Sequence, residues 1–201
     1  MADRLSADPP GIARAAELLR SGQLVAFPTD TVYGIGCRIG DPGALARVFG
    51  AKRRDPEKAV AWLVASRSTV ADSGFGIDDR AVQLAERFWP GALTLVLPAL
   101  DGPATQAFRV PAHDVALALL AATGPLAVTS ANRSGEPETL DADDVAIAFA
   151  DSDEPLAILD GGRVPGGVAS SVLDLSSSAA HLVREGAVSR AEIEGVIGPI
   201  D

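Results

Sequence analysis

The chain has 201 residues, of which 47% are hydrophobic, so it can bury the core of one sizeable domain, and global disorder is disfavoured. Its formal net charge is -10, from 17 basic and 27 acidic residues, which argues against a general nucleic-acid binder. No apolar run approaches the roughly 20 residues that span a bilayer, and the N-terminus lacks the apolar stretch of a secretory signal. The single cysteine, Cys37, cannot form an internal disulfide, and no Cys/His cluster has zinc spacing, so we predict a protein of the reducing cytoplasm without metal-ligating side chains of its own.

Helix and strand signals alternate along the chain with short connections, which predicts an α/β protein. The first half predicts a helix from Pro9 to Gly22, a strand at 23–27, a helix at 41–49, a strand at 59–65, a helix at 78–89 and a strand at 92–98. The second half predicts a strand at 106–111, a short helix ending at Gly124, a strand at 125–131, a helix at 141–150, strands at 155–161, 170–175 and 181–185, and a last helix opened by a Ser189–Glu192 capping box. We therefore expect one sheet of about seven strands, with about six helices.

The first polar segment follows a strand and reads FPTDTVYGIGC. Thr29, Thr31 and Tyr33 place three hydroxyl groups on a backbone that two glycines make tight. Loops at strand ends are where α/β proteins bind ligands. The same residues also suit an Asx or Ser/Thr turn with a packed tyrosine, and the residues alone leave both interpretations open.

A short basic run, AKRRDPEK, contains both lysines of the chain. Lys52 and Arg54 flank Arg53, so an extended loop would direct their two side chains to the same side. Paired cations at this spacing suit a triphosphate or a carboxylate. No Gly-rich loop ending in GK[ST] is present, so this is not a P-loop site. The alternative interpretation is a solvated helix end.

Two further groups of polar residues occupy strands or strand ends. In TSANRSGEP, Ser130 and Asn132 alternate outwards and can bind phosphate or adenine edges, although a turn built from turn-forming residues is the alternative. Arg109 and Arg184 lie in the middle of predicted strands beside small residues such as Ser170. Structural, paired arginines are one interpretation of these two positions, and an anion-filled cleft is the favoured one.

Taken in order, these segments resemble the threonylcarbamoyl-AMP synthase family, also called the YrdC-like family. The matching pieces are PTDTVYGIG, KRR before AVAWLV, FWPGALTLVLP, FRVP, TSANRSGEP, SSVLDL and VREGAVS. They run from about residue 12 to 197 in the family order. The resemblance implies a single YrdC-like domain over 1–201, with a twisted, open, mostly mixed sheet, flanking helices and a concave ligand cleft.

The resemblance also implies a nucleotidyltransferase that converts L-threonine, bicarbonate and ATP to threonylcarbamoyl-AMP and pyrophosphate, with Mg²⁺ accompanying the triphosphate. The catalytic residues it implies are Lys52 and Arg54. The ATP- and phosphate-binding residues it implies are Lys52, Arg54, Ser130, Asn132 and Arg184. The threonine-binding residues it implies are Thr29, Thr31, Tyr33, Arg109 and Ser170. One departure from the family pattern lies beside this set, since Glu185 follows Arg184 where proline is usual.

The implied partner is a transferase complex that moves the threonylcarbamoyl group to position 37 of tRNA. Two alternatives are a double-stranded RNA or tRNA-binding module of the same fold and a carbamoyl-adenylating relative. Because the chain is acidic, we expect weak, salt-sensitive tRNA binding at most, and no membrane association.

Overall fold

The structure is a computed structural model that describes residues 3–201. Within this range the helices are α1 (Pro9–Arg20), α2 (Pro42–Lys52), α3 (Arg67–Asp72), α4 (Asp79–Phe88), α5 (Asp114–Thr123), α6 (Ala142–Ala148) and α7 (Arg190–Ile197). The strands are β1 (Asp3–Ser6), β2 (Leu24–Phe27), β3 (Gly34–Arg38), β4 (Ala61–Leu63), β5 (Leu93–Pro98), β6 (Thr105–Arg109), β7 (Leu126–Ser130), β8 (Leu156–Asp160), β9 (Ser171–Asp174) and β10 (His181–Arg184). No helix within residues 3–201 is long and apolar enough to cross a membrane.

All ten of these strands belong to one sheet, in the order β1-β8-β2-β3-β7-β4-β6-β5-β9-β10. The pairs β1–β8, β2–β8, β4–β6 and β5–β9 are parallel, and the other five pairs are antiparallel. The sheet is therefore mixed. This arrangement confirms the predicted α/β class with a mixed sheet.

One half of the sheet is covered by helices on both faces. In β2, Leu24 and Ala26 pack in the core beneath α2 and α6, while Val25 and Phe27 pack on the opposite side against α1 and α5. Strand β8 alternates in the same way, because successive side chains of a strand point to opposite faces. Both faces of this half are apolar and buried for that reason.

The other half of the sheet is covered on one face only, and this leaves room for a cleft. In β5, the leucines at positions 93, 95 and 97 are buried against α4 and α7. The alternate residues Thr94 and Val96 face the cleft together with Ala107, Arg109 and Val172 of the neighbouring strands. The same two-residue alternation thus gives one apolar face and one face that can bind a ligand.

The structure has ten strands in residues 3–201 where about seven were predicted, and seven helices where about six were predicted. Strand β3 lies in a segment that was predicted to be a loop, because it contains Gly34 and Gly36, which are poor strand formers. The sheet needs these glycines, since a Cβ at Gly34 would lie 2.7 Å from Val128 on the paired strand β7. Pairing with β2 and β7 overrides the low intrinsic preference. The short elements β1 and α3 were also not predicted.

Candidate ligand-binding site

A cleft of about 300 Å³ lies on the open face of the sheet, between the 29–34 loop, the end of β7 and strands β4, β5, β6 and β9. Seven of the ten predicted site residues line it: Thr29, Thr31, Arg54, Arg109, Ser130, Ser170 and Arg184. The three others, Tyr33, Lys52 and Asn132, lie behind its wall. The fold therefore brings most of the predicted residues together from segments far apart in the sequence.

Arg109 is held rigidly at one end of the cleft, at the last position of β6. Its Nε donates to the carbonyl of Gly91 (2.9 Å), Nη1 to Thr31 Oγ1 (2.9 Å) and Nη2 to Asp30 Oδ1 (2.6 Å). Burial lowers the pKa of Arg109, and the Asp30 carboxylate opposes that shift. An arginine has five N–H donors, so two remain to bind a carboxylate in the cleft.

The hydroxyl groups beside Arg109 are fixed by the 29–33 loop itself. Thr29 Oγ1 lies 3.0 Å from Thr31 Oγ1 and donates to the carbonyl of Val32 (2.7 Å). The backbone of the loop is held from outside as well, because Gly167 N donates to the carbonyl of Thr31 (2.9 Å). The structure therefore shows the Ser/Thr turn with its packed tyrosine, and the two threonines of this turn line the cleft.

Ser170 contacts both Thr94 and Arg184 in the cleft. Its Oγ lies 2.9 Å from Thr94 Oγ1, and both residues are buried. Its carbonyl accepts two hydrogen bonds from Arg184, at 3.1 Å from Nε and 2.8 Å from Nη2. Arg184 is thereby turned towards the cleft. Its neighbour Glu185 accepts a hydrogen bond from the first backbone N–H of α7, on Arg190 (2.9 Å), so that carboxylate has a helix N-terminus as its partner.

The cationic end of the cleft contains Arg54 and Arg184 without a salt-bridge partner for either among residues 3–201. Arg54 Nη1 contacts Thr129 Oγ1 (3.4 Å) and Nη2 donates to the carbonyl of Ala59 (3.0 Å), while its buried Nε has no acceptor in the described chain. Burial, and then the charge of Arg184, lowers the pKa of Arg54. Two guanidinium groups in one cleft repel each other, and a polyanion bound between them would relieve this repulsion.

Lys52 differs from its predicted position. The prediction of one extended loop with parallel Lys52 and Arg54 side chains is wrong, because α2 continues to Lys52 and Arg53 then adopts a left-handed conformation (φ 49°). Lys52 is 1% exposed, and its Nζ donates to the carbonyls of Ser130 and Asn132. Burial lowers its pKa to about 8, with Arg54 acting in the same direction. Lys52 is thus charged at neutral pH and holds the TSAN turn.

Asn132 and Tyr33 also bind protein groups rather than facing the cleft. Asn132 Oδ1 accepts from Ser130 Oγ (2.6 Å), and its Nδ2 donates to the carbonyl of Glu136 (2.7 Å). The Tyr33 hydroxyl donates to the carbonyl of Gly162 (2.8 Å) and accepts from the Gly161 N–H (3.2 Å). Burial raises the pKa of Tyr33 to about 12. In this arrangement these two side chains support the cleft wall.

Three residues of the site were not assigned from the sequence. Thr94 lines the cleft and contacts Ser170, and Asp30 pairs with Arg109. Glu138 lines the cleft as well. A signal existed for Thr94, a lone hydroxyl in the alternating run LTLVLP, and for Asp30, which lies within PTDT. Nothing in the local sequence distinguishes Glu138 from a surface glutamate.

A mixed sheet with one open face, and a cleft on that face lined by three arginines, place this chain in the α/β class. Residues 17–186 match the family model of Sua5, YciO and YrdC, which carries the description "Telomere recombination", and the chain belongs to this family. The resemblance found in the motifs is therefore confirmed.

Named relatives agree with this assignment. The chain is 42% identical over 209 residues to the threonylcarbamoyl-AMP synthase of Bacillus subtilis, covering 98% of this chain and 60% of the relative. It is 42% identical over 195 residues to that of Pyrococcus abyssi, covering 92% and 57%. The crystal structure of P. abyssi Sua5 complexed with L-threonine superposes with a TM-score of 0.89 at 38% identity, covering 100% of this chain and 62% of that one. The chain thus spans about 60% of the length of these relatives.

Proposed function

We propose that this chain converts L-threonine, bicarbonate and ATP to threonylcarbamoyl-AMP and pyrophosphate. One observation carries the proposal: a single cleft combines Arg109, which the Thr31 hydroxyl and Asp30 hold in place, with two arginines, Arg54 and Arg184, that form no salt bridge within residues 3–201. The first end suits an amino-acid carboxylate and the second suits a triphosphate. The synthase names of the relatives and the threonine complex of P. abyssi Sua5 support the same reaction.

The reaction has two steps, and each needs positioning more than a reactive side chain. The threonine amine attacks bicarbonate, or the carbon dioxide derived from it, and forms a carbamate with loss of water. A carbamate oxygen then attacks the α-phosphate of ATP, and pyrophosphate leaves with the electrons of the broken P–O bond. Both reactants of the second step are anions, so cations that offset their repulsion stabilise the transition state. No nucleophilic side chain is required.

The residues divide between the two substrates as follows. Arg109 and Ser170 bind the threonine carboxylate, with Thr29, Thr31 and Tyr33 around the amino acid. Lys52, Arg54, Ser130, Asn132 and Arg184 bind the phosphates, and Lys52 and Arg54 stabilise the charge of the transition state. The seven residues that line the cleft are the best placed to contact the substrates directly. For Lys52, Asn132 and Tyr33, the hydrogen bonds described above support an additional role in holding the wall.

ATP is proposed to bind as its magnesium complex. Within residues 3–201, no group of three His, Cys, Asp or Glu side chains is arranged to hold a metal ion. This favours a Mg²⁺ held largely by phosphate oxygens and water, as is common for nucleotide-bound magnesium. The ion neutralises part of the phosphate charge, and Arg54 and Arg184 act on the remainder.

The product is proposed to pass to a transferase that modifies adenosine 37 of tRNA, in the cytoplasm. Threonylcarbamoyl-AMP is a mixed anhydride, so a nearby acceptor enzyme would limit its hydrolysis. The net charge of -10 supports weak and salt-sensitive tRNA binding by this chain itself.

Pyrophosphate release tests the proposal. The purified protein is mixed with ATP, Mg²⁺ and bicarbonate, with and without L-threonine, and the expected result is release that requires both threonine and bicarbonate. Release without threonine would favour a carbamoyl-adenylating relative. Absence of release together with tight tRNA binding at physiological salt would favour an RNA-binding module, and either outcome would refute the synthase.

A further inference from the structure

One carboxylate lies among the cations of the cleft. The charged residues that line the cleft are Arg54, Arg109, Arg184 and Glu138. Glu138 Oε2 is shielded from solvent, and no hydrogen-bond donor within residues 3–201 reaches it. A buried carboxylate oxygen without a donor is energetically costly, more so than a neutral oxygen. The cost is removed when a ligand supplies the donor.

Glu138 lies near the loop that is proposed to bind the amino acid. It lies in the connection between β7 and α6, and the carbonyl of the next residue, Thr139, accepts a hydrogen bond from Tyr33 N (2.9 Å). That bond fixes the Glu138 segment beside the 31–33 loop, whose Thr31 hydroxyl accepts from Arg109. On its other side, the charge of Glu138 acts on Lys52 and opposes the lowering of the lysine pKa. Glu138 thus lies between the amino-acid loop and the TSAN turn.

The chemistry of the substrates indicates which of their groups can donate a hydrogen bond to Glu138. Phosphate and carboxylate groups repel Glu138, so it does not bind the anionic parts of either substrate. A free amino acid carries an ammonium group next to its carboxylate at neutral pH, and an ammonium group has N–H donors and no acceptor. Arg109 accounts for the carboxylate, while Glu138 is the only acidic side chain among the residues that line the cleft.

We propose that Glu138 accepts a hydrogen bond from the α-amino group of the amino-acid substrate and holds the nitrogen between the two ends of the cleft. The inference rests on the proposed function, because it assumes an amino-acid substrate. It adds a basis for selectivity: the cleft discriminates an α-amino acid from the 2-hydroxy acid of the same shape. A hydroxyl group offers one neutral hydrogen bond where the ammonium group offers a charged one.

Calorimetric binding of two ligands tests this. The ligands are L-threonine and 2,3-dihydroxybutanoate of matching stereochemistry, in which a hydroxyl replaces the amino group. The proteins are wild type, Glu138→Gln, and Glu136→Gln as a control two residues away on the same loop with an exposed side chain. We expect Glu138→Gln to weaken threonine binding on the order of ten- to a hundredfold, as for loss of a charged hydrogen bond, and to leave the analogue nearly unchanged. Glu136→Gln is expected to match wild type.

Several outcomes would overturn the proposal. Equal affinity of wild type for both ligands, equal weakening of both by Glu138→Gln, or no weakening of either would show that Glu138 does not bind the amino group. A selective loss of ATP affinity would assign Glu138 to a nucleotide hydroxyl instead. If Glu138→Gln fails to fold, Glu138→Asp takes its place, and equal affinity of the wild type for both ligands would refute the proposal without any variant. Threonine binding that depends on Glu138 without pyrophosphate release would preserve this inference and refute the synthase reaction, whereas absence of threonine binding would refute both.

Discussion

Tyr33 provides the sharpest test of how the cleft wall is held. Its side chain is fully buried, and its hydroxyl both donates to Gly162 and accepts from Gly161. Tyr33→Phe removes only the hydroxyl and keeps the ring in the core. The change leaves one backbone carbonyl and one backbone N–H of the 161–162 segment without their partner.

The expected loss follows from these two hydrogen bonds. At roughly 0.5–1.5 kcal/mol each, Tyr33→Phe should lower the free energy of unfolding by about 1–3 kcal/mol. For a chain of this length Tm falls by roughly 2–4 °C per kcal/mol, which gives a decrease of roughly 2–12 °C. Threonine affinity should change less than stability does, because the hydroxyl already has protein partners outside the cleft.

Thermal melts and threonine titrations of the same samples measure the two effects. Ser178→Ala is a suitable control, because it removes an exposed hydroxyl from the loop between β9 and β10, away from any helix cap. An unchanged Tm combined with a large loss of threonine affinity would refute the supporting role and favour direct contact of Tyr33 with threonine.

The pH dependence of Tyr33 gives an independent check. It is the only tyrosine of the chain, so the phenolate absorbance reports on this residue alone. The folded-state pKa is raised from 10.0 to about 12, mainly by burial. The folded protein therefore keeps a proton that the unfolded chain loses, and the contribution to stability is complete below pH 10 and is lost as pH rises towards 12. Ionisation of the folded protein near pH 10 would contradict the buried position.

Four further predictions concern Lys52, Arg109 and Gly166. Lys52→Met should cost about 2–4 kcal/mol in urea unfolding, because two buried carbonyls lose their donor, and a cost below about 1 kcal/mol would contradict this. The unfolding free energy of wild type relative to Lys52→Met should rise with pH between about 8 and 10.5, since the folded lysine releases its proton first. Arg109→Lys should weaken threonine binding in calorimetry by about tenfold or more and spare ATP binding, because one ammonium cannot replace three directed contacts; equal losses would move Arg109 out of the amino-acid end. Gly166→Ala should lower both Tm and threonine affinity, because its Cβ would lie 1.8 Å from the Thr31 carbonyl oxygen, whereas Gly50→Ala in α2 meets no atom within 4 Å and should be neutral or stabilising.

The sequence by itself determined those parts of the structure that depend on near neighbours in the chain. The predicted capping box of Ser189 with Glu192 is present, and Asp41 and Asp141, at the starts of two predicted helices, each accept a hydrogen bond from the backbone N–H three residues on. These interactions join residues three apart, so their spacing in the sequence is sufficient to predict them. The alternation of LTLVLP likewise indicated a strand with one apolar face.

The sequence motifs also predicted most of the residues that line the cleft. Loops at the ends of strands meet in an α/β sheet, and for this reason seven of the ten predicted residues line one cleft. The family resemblance assigned roles to these residues that their spacing alone left open. Asp30 and Thr94 lay inside the quoted motifs but were not singled out, because their partners Arg109 and Ser170 lie 79 and 76 positions away along the chain.

Tertiary structure alone decided what depends on distant partners. Strand β3 exists because β2 and β7 pair with it on either side, although its glycines disfavour a strand. The direction of Lys52 was decided by the left-handed turn at Arg53 and by the carbonyls of the TSAN turn, 78 and 80 positions away. Glu138 resembles a surface glutamate in the sequence and becomes a cleft residue only when the Thr139 carbonyl pairs with Tyr33 N. Strand pairing, burial and the proximity of charged groups arise only in the folded chain, so no local sequence pattern is sufficient to predict them.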